Sequence, residues 1–357
     1  MEIEKGSALK KGIPLIFLGL FLFLLYIHFF VGFTDIVNTF SRADPFYYSL
    51  AFITFLLSAT FSSLAWWRLL HILSVKTTFR KSFLFTWVGT FVDLLIPAES
   101  ISGEVSRAYL MYRDSNEDAG RIVASVVGHR ILSTATTFVG MIGASTFFIL
   151  SYKPSELVVG FLLIIAVFTA LSLFLLIYLS LKEKATTRLA DWLIKLLKRI
   201  FKGRFKIMRL SSIARRLLKE FHKGIGILGD RPRKLVLPIA FSILGWIFDI
   251  LVAFFVFSSL HVSVPFSAIV IVYSISVIVQ TIPVGIPGDM GIVEFVMTSV
   301  YWALLKDVLP AQGVPDVLVI VTSATILIRA LTLWAKLIIS GLAVQWVGIK
   351  MLKGNSH

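Results

Sequence analysis

Residues 157–181 read LVVGFLLIIAVFTALSLFLLIYLSL, 25 consecutive residues without a charged side chain. At about 1.5 Å per residue a helix of that length reaches roughly 37 Å, enough to cross a hydrocarbon core about 30 Å thick. A soluble helix would instead alternate apolar and polar positions at helical spacing. The same signal recurs in both directions from this run. Ile13–Phe33 and Phe46–Trp67 carry no charge, Ile122–Leu150 is interrupted only by His129 and Arg130, and Leu235–Leu260 only by Asp249. Composition agrees: 57% of residues are apolar and 15% charged, with mean hydropathy +0.88, whereas soluble domains carry about a quarter charged residues. The reading is an all-α polytopic integral membrane protein of about seven or eight membrane segments.

Ile13–Phe33 follows the charged stretch Glu2–Lys11, is too long for a signal-peptide core and lacks a small-residue cleavage site, so it reads as a retained first span. Residues 182–234 hold 17 Lys or Arg against four acidic residues, a net +13 of the chain's +15. Cytoplasmic loops collect Lys and Arg, which places this segment and both termini in the cytoplasm of a cell (plasma) membrane. It divides the chain into an N-terminal membrane half (1–181), a basic linker (182–234) and a C-terminal membrane half (235–357). Within the linker, Leu189, Trp192, Leu193, Leu196, Leu197, Ile200 and Phe201 recur at helical spacing among Lys195, Lys198, Arg199 and Lys202. That pattern suits a helix lying on an anionic leaflet, and the same charge also serves simply to set topology. No nucleic-acid motif accompanies it, so no nucleic-acid partner is expected.

Two shorter stretches read as broken or re-entrant hairpins. Ser82–Pro97 has basic residues on both flanks, so both ends belong on one side, and the hairpin is expected over 82–113. The second, over 268–305, breaks at Pro283, Gly285, Pro287, Gly288 and Gly291. Ile96-Pro97 followed by Gly103-Glu104 is echoed by Ile286-Pro287 followed by Gly291 and Glu294. An echo of this kind raises an inverted-repeat relation, the plan of many transporters, and it also fits two unrelated helix breaks.

A charge in the bilayer costs about 2.5–3.5 kcal/mol on insertion scales, so each needs a partner, water or a task. The embedded set is Asp93, Glu99, Glu104, Arg107, His129, Arg130, Asp249, Asp289, Glu294 and Arg329. A guanidinium holds a phosphate bidentately, which makes Arg107, Arg130 and Arg329, with Glu104 and Glu294, the candidate headgroup-binding residues. Each also reads as half of a structural ion pair. Pro97, Gly103, Pro283, Pro287, Gly288 and Gly291 are the candidate hairpin backbone positions, where unwound chain survives only against protein or a wet cavity. His129 reads as a packed neutral histidine. GxxxxGK[ST], HExxH, GxSxG and Asp-x-Asp are absent and there is no cysteine, so no catalytic residue, metal or cofactor is expected.

Four patches in order resemble the lysylphosphatidylglycerol synthase transmembrane-region family of flippase-like proteins. They are Pro97–Arg113 with Gly103-Glu104 and Arg107-Ala108-Tyr109-Leu110; Ala124–Val127 leading to His129-Arg130; Pro287–Glu294; and Arg329 with Leu331, Thr332 and Trp334. His129 departs from the acidic residue that tends to precede the arginine, Asp289-Met290 from a Gly-Leu-like pair, and Ala98–Ser102 from the usual approach to Gly103-Glu104. The resemblance implies movement of a lipid headgroup between leaflets. The relative that also synthesises the lipid carries a soluble domain, which is not carried over, so no enzyme activity is expected. The expected function is transbilayer movement of a phospholipid, glycolipid or lipid-linked headgroup. Secondary transport of a small anion or polyprenyl-linked sugar stays open, as does a non-transporting role beside a lipid-modifying or glycosyltransferase partner.

Overall fold

The computed structural model describes residues 41, 43–96, 101–200, 207–282, 286–314 and 316–354. The expected span Ile13–Phe33, and Pro97, Glu99, Pro283 and Gly285, lie outside them. Among the described residues the chain is all-α: α1 (Pro45–Ile72), α2 (Phe79–Leu95), α3 (Ile101–Ser115), α4 (Ala119–Tyr152), α5 (Glu156–Leu181), α6 (Glu183–Ile200), α7 (Ile207–Gly229), α8 (Pro232–Ser259), α9 (Phe266–Val279), α10 (Ile292–Leu305), α11 (Val317–Arg329) and α12 (Lys336–Gly354). Six segments there are long and apolar enough to cross a membrane: α1, α4, α5, α8, Pro287–Leu305 and Val317–Gly348. The count of seven or eight drew in Ile13–Phe33 and the shorter hairpin arms.

Local signals start these helices. Asp44 and Asp118 accept from the Phe46 and Gly120 N–H groups at 2.8 and 2.9 Å, and Pro45 sits where its missing N–H has no partner to lose. The interior and exterior then reverse the soluble pattern. On α5, Leu157, Leu163, Ile164, Val167, Leu171 and Phe174 all face outward, a surface only lipid would cover. Inside, Ser58, Ser63, Ser125, Ser274, Thr322, Ser323 and Ser340 are buried, small polar residues that let helix backbones approach.

α1 and α8 run together along their lengths. The Asp44 N–H donates to the Ser259 carbonyl at 2.8 Å, so the start of α1 and the end of α8 share one end of the bundle. At the other end Leu69 and Leu70 of α1, with Leu73 just past its end, pack with Ile122 and Ala124 of α4 and with Phe221, Ile225 and Leu228 of α7. The basic linker is therefore partly core. α4 has 34 residues, roughly 51 Å, so it overruns a bilayer, and its first turns meet α7. A Cβ on Gly224 would lie 2.6 Å from Ala124 Cβ, and one on Gly120 2.3 Å from Glu220 Cβ. Leu189 and Trp192 of α6 face outward, and Phe201 and Lys202 of the same stretch lie outside the described residues.

The last helix is not cut at its charges. Val317–Gly348 continues through Arg329 and Lys336 by widening into a π turn over Ala330–Ala335, a local insertion often found at functional sites.

Candidate functional site

The first break brings α2 and α3 back against one another. They cross backbone to backbone: a Cβ on Gly89 would lie 2.7 Å from the Gly103 carbonyl oxygen, and one on Gly103 would lie 2.3 Å from that of Gly89. Asp93 Oδ1 accepts from the Gly103 N–H at 2.6 Å and from the Ser102 hydroxyl at 2.8 Å. Lys81 and Asp114 close the open end of the hairpin with a 2.8 Å ion pair. The first turn of α3 thus already carries a carboxylate of the protein's own, at a place where an external anion would otherwise bind.

The second break follows the same chemistry with other residues. Glu294 Oε2 accepts from the Gly291 N–H at 2.7 Å, while Oε1 accepts from Arg329 Nε at 2.6 Å. A second guanidinium nitrogen of Arg329 donates to the Gly288 carbonyl at 2.8 Å. Gly288 and Gly291 have φ of 64° and 84°, which their lack of a Cβ permits. Gly288 also lies against Leu94 at the end of α2 and Leu333 of the π turn. The two breaks therefore meet.

The five candidate headgroup residues fall into two groups with different geometry. Glu294 and Arg329 are both buried and locked at hydrogen-bonding distance; their bonds are spent on holding the second break. Glu104 instead stands between two arginines, 3.6 Å from Arg130 and 4.0 Å from Arg107. Neither separation is a hydrogen bond. Arg107 is 7% exposed, its guanidinium lies 4.9 Å over the Trp66 ring, and its Nε makes no hydrogen bond among the described residues. The Trp66 N–H, donating to Ser125 at 3.0 Å, fixes the ring beneath it. Two guanidinium groups with unused donors face one space, and an anionic group would satisfy them.

That space is a cavity of about 200 Å³ lined by Asp93, Glu104, Arg107, His129, Arg130 and Ser133 among others. His129 pairs with Ser62 at 3.3 Å, and Arg130 finds its carboxylate on α3, not in its own helix. Glu104, Arg130 and Ser133 also cap a larger cavity of about 500 Å³, whose walls include Phe168 and Leu176 of α5 and Val277 and Ile278 of α9. On its other side the charged cavity shares Thr90 and Asp93 with one of about 160 Å³ that contains Gly288, Asp289, Arg329 and Lys336. A fourth, of about 130 Å³, joins it through Gln280, Arg329, Thr332 and Lys336 and holds Asp249 and Tyr273. Glu294 lines none of the four.

The sequence marks Asp93 and Asp249 as embedded charges and Lys336 as an interruption of the last apolar run without assigning them to the site, and it gives no sign of Gly89, Trp66 or Tyr273. Lys336 had a visible signal: it follows Arg329 by seven residues with Thr332 between, and all three line one helix face. Gly89 and Trp66 had none, because nothing local records which helix they will meet. The described residues contain no His, Asp and Glu grouping that would hold a metal ion.

The chain is similar to a UPF0104 membrane protein of Pyrococcus horikoshii, 26% identical over 94% of this chain and 96% of that one. It is also similar to UPF0104 membrane proteins of Methanothermobacter thermautotrophicus, at 24% over 82% and 85% of the two chains, and of Methanocaldococcus jannaschii, at 26% over 78% and 80%. The family described as the lysylphosphatidylglycerol synthase TM region matches residues 16–346, nearly the full length, so this multi-pass chain belongs to that family.

Proposed function

We propose that this protein moves an amphiphile with an anionic headgroup between the leaflets of the cell membrane. The observation that carries the reading is the shape and chemistry of the joined cavities. The polar compartment offers Arg107 and Arg130 to a phosphate, with Glu104 and Asp93 opposite for a cationic or hydroxyl-bearing part of the same headgroup. The larger compartment, walled by Phe168, Leu176, Val277 and Ile278, offers apolar surface where acyl chains would lie. Shelter for the headgroup removes most of the cost of carrying charge through hydrocarbon. Phospholipids, glycolipids and other lipid-linked headgroups with a phosphate meet this description, and a small soluble anion would leave the larger compartment without a role. The chemistry asked of the protein is binding and shelter, so it acts as no enzyme and uses no cofactor. The basic linker faces the cytoplasm, with the outward Trp192 side of α6 on the anionic leaflet.

The test is leaflet exchange in liposomes carrying the purified protein and a panel of acyl-labelled fluorescent phospholipids and glycolipids, read by dithionite quenching. One headgroup class should exchange faster than in empty vesicles. A charge-assisted hydrogen bond is worth about 1.5–3 kcal/mol, so Arg130→Gln and Arg107→Gln should each slow that exchange by roughly ten- to hundredfold. No exchange of any class by folded protein, or full exchange by both variants, would sink the reading.

A further inference from the structure

We propose that Asp249, Tyr273 and Lys336 form a proton-binding site that ties lipid movement to a proton gradient across the membrane, an inference that rests on reading the neighbouring cavity as a headgroup site. The headgroup reading gives these three residues no task. All three nevertheless line the fourth cavity, within the apolar helices α8, α9 and the last span. An aspartate and a lysine placed there each need a partner, water or a task.

The groups facing Asp249 come from every side of the cavity. Tyr273 on α9 donates its hydroxyl to Asp249 Oδ2 at 3.0 Å, and the buried Ser58 on α1 lies within electrostatic reach of the same carboxylate. Lys336 on α12 lies within its electrostatic reach, and Tyr301 on α10 and Arg329 on α11 line the same cavity. The lining of this cavity takes no side chain from α4 or α7 among the described residues. Arg329 is already held by Glu294 and Gly288. The Lys336 ammonium makes no ion pair or hydrogen bond among the described residues. It lines both this cavity and the adjoining one, where it feels the opposite charge of Asp249, the like charge of Arg329 and, more weakly, the opposite charge of Asp93, with Asp289 on the wall of the adjoining cavity. A flexible ammonium that borders both compartments can turn toward the carboxylate of either.

This supplies a coupling step that balances. With Asp249 ionised, Lys336 is drawn to it and the pair is neutral. A proton arriving from one side of the membrane binds the Asp249 carboxylate, the pair gains one positive charge, and the ammonium is released toward Asp93. Asp93 is the residue that holds the Gly103 N–H at the first break and lines the headgroup cavity. Loss of the proton from Asp249 to the other side returns the ammonium. The π turn lies directly before Lys336 and packs Leu333 on Gly288, so movement at Lys336 reaches the second break as well. The exchangeable ion is a proton, because a metal cation entering beside the Lys336 ammonium would be repelled.

Two measurements on the purified full chain separate this inference from the reading beneath it. The first uses no lipid substrate: infrared difference spectra between acid and alkaline buffer should show a protonated-carboxyl band that Asp249→Asn removes and Tyr273→Phe displaces. A spectrum unchanged by Asp249→Asn overturns the site. The second follows acyl-labelled phosphatidylglycerol, or whichever lipid the panel identifies, in proteoliposomes with a pH-sensitive dye inside. One proton per lipid across one pH unit sets a steady-state leaflet ratio of about ten, whereas uncoupled scrambling gives a ratio of one. The wild type should approach the higher ratio with matching proton flux, and Lys336→Gln should bring the ratio to one. A wild-type ratio of one under every gradient overturns the coupling and leaves the flippase reading standing. A ratio set by sodium at clamped pH overturns the choice of ion. Absence of lipid exchange overturns the flippase reading, and the infrared arm alone then decides whether Asp249 binds a proton.

Discussion

Replacing Gly103 by alanine should pull the first hairpin apart. The new Cβ would fall 2.1 Å from Asp93 Oδ2 and 2.3 Å from the Gly89 carbonyl oxygen, and contact becomes ordinary only at 3.4 Å. The Gly89 oxygen belongs to helix backbone, so α2 and α3 must separate by about 1 Å. Asp93 cannot turn aside without releasing the Gly103 N–H and the Ser102 hydroxyl that its other oxygen holds. Overpacking costs about 1–3 kcal/mol, and a hydrogen bond to a charged group contributes about 1.5–3 kcal/mol, for a total of roughly 3–6 kcal/mol. Because the sequence has no cysteine, a pair introduced at Lys81 and Asp114 reports on the hairpin without background. A short bifunctional thiol reagent should bridge them rapidly in the parent and slowly beside Gly103→Ala, with the detergent-unfolding midpoint lowered in step. Gly143→Ala, where no atom lies within 4 Å, is the matched control and should be neutral or slightly stabilising. Equal bridging rates and equal midpoints in the parent and Gly103→Ala would refute the backbone crossing.

Three further outcomes follow from the same contacts. Arg329→Met should destabilise by about 3–5 kcal/mol, because it strands a buried carboxylate, and Glu294→Leu added to it should recover part of that loss; additive losses in chemical unfolding would show that the pair is not coupled. Trp66→Leu should cost about 0.5–2 kcal/mol through the lost cation–π contact beyond its packing, visible as an excess over the same change made with Arg107→Met already present. Gly224→Val should lift α7 from α4, since its Cβ meets Ala124, and tryptic cleavage at Arg215, Arg216 and Lys219 should accelerate; an unchanged digestion rate would place α7 outside the bundle.

The parts of this molecule legible in its sequence are those where the solvent dictates the answer. A bilayer demands one long uncharged run per span, so α1, α4, α5 and α8 appear in the composition of 20-residue stretches before any contact is known. The breaks were legible for a related reason, because proline and glycine act on the chain within a residue or two. What interhelix geometry decides was not. Arg130 lies in an apolar run of α4 with no carboxylate in it, yet its partner is Glu104 on α3, and Arg107 is fixed by an indole from α1. The basic linker misleads in the opposite direction: its charge speaks for the surface, while Phe221, Ile225 and Leu228 inside it join the core.

The division of the arginines follows from distance and not from residue type. Arg329 and Arg130 read alike in sequence, each a lone guanidinium in a span. At 2.6 Å from Glu294, with a second bond to Gly288, Arg329 would have to give up the contacts that hold the second break to take up a ligand. At 3.6 Å from Glu104, at the mouth shared by two cavities, Arg130 gives up little by turning to a phosphate. Exchanging the two environments is a direct check on that reasoning. Glu104→Gln frees Arg130 and Arg107 of their shared counter-charge, so affinity for an anionic headgroup should rise while release slows, whereas Glu294→Gln should lower stability and exchange together. If both variants changed stability alone, Arg130 would belong with Arg329 as scaffold, and the charged cavity would lose its claim to the headgroup.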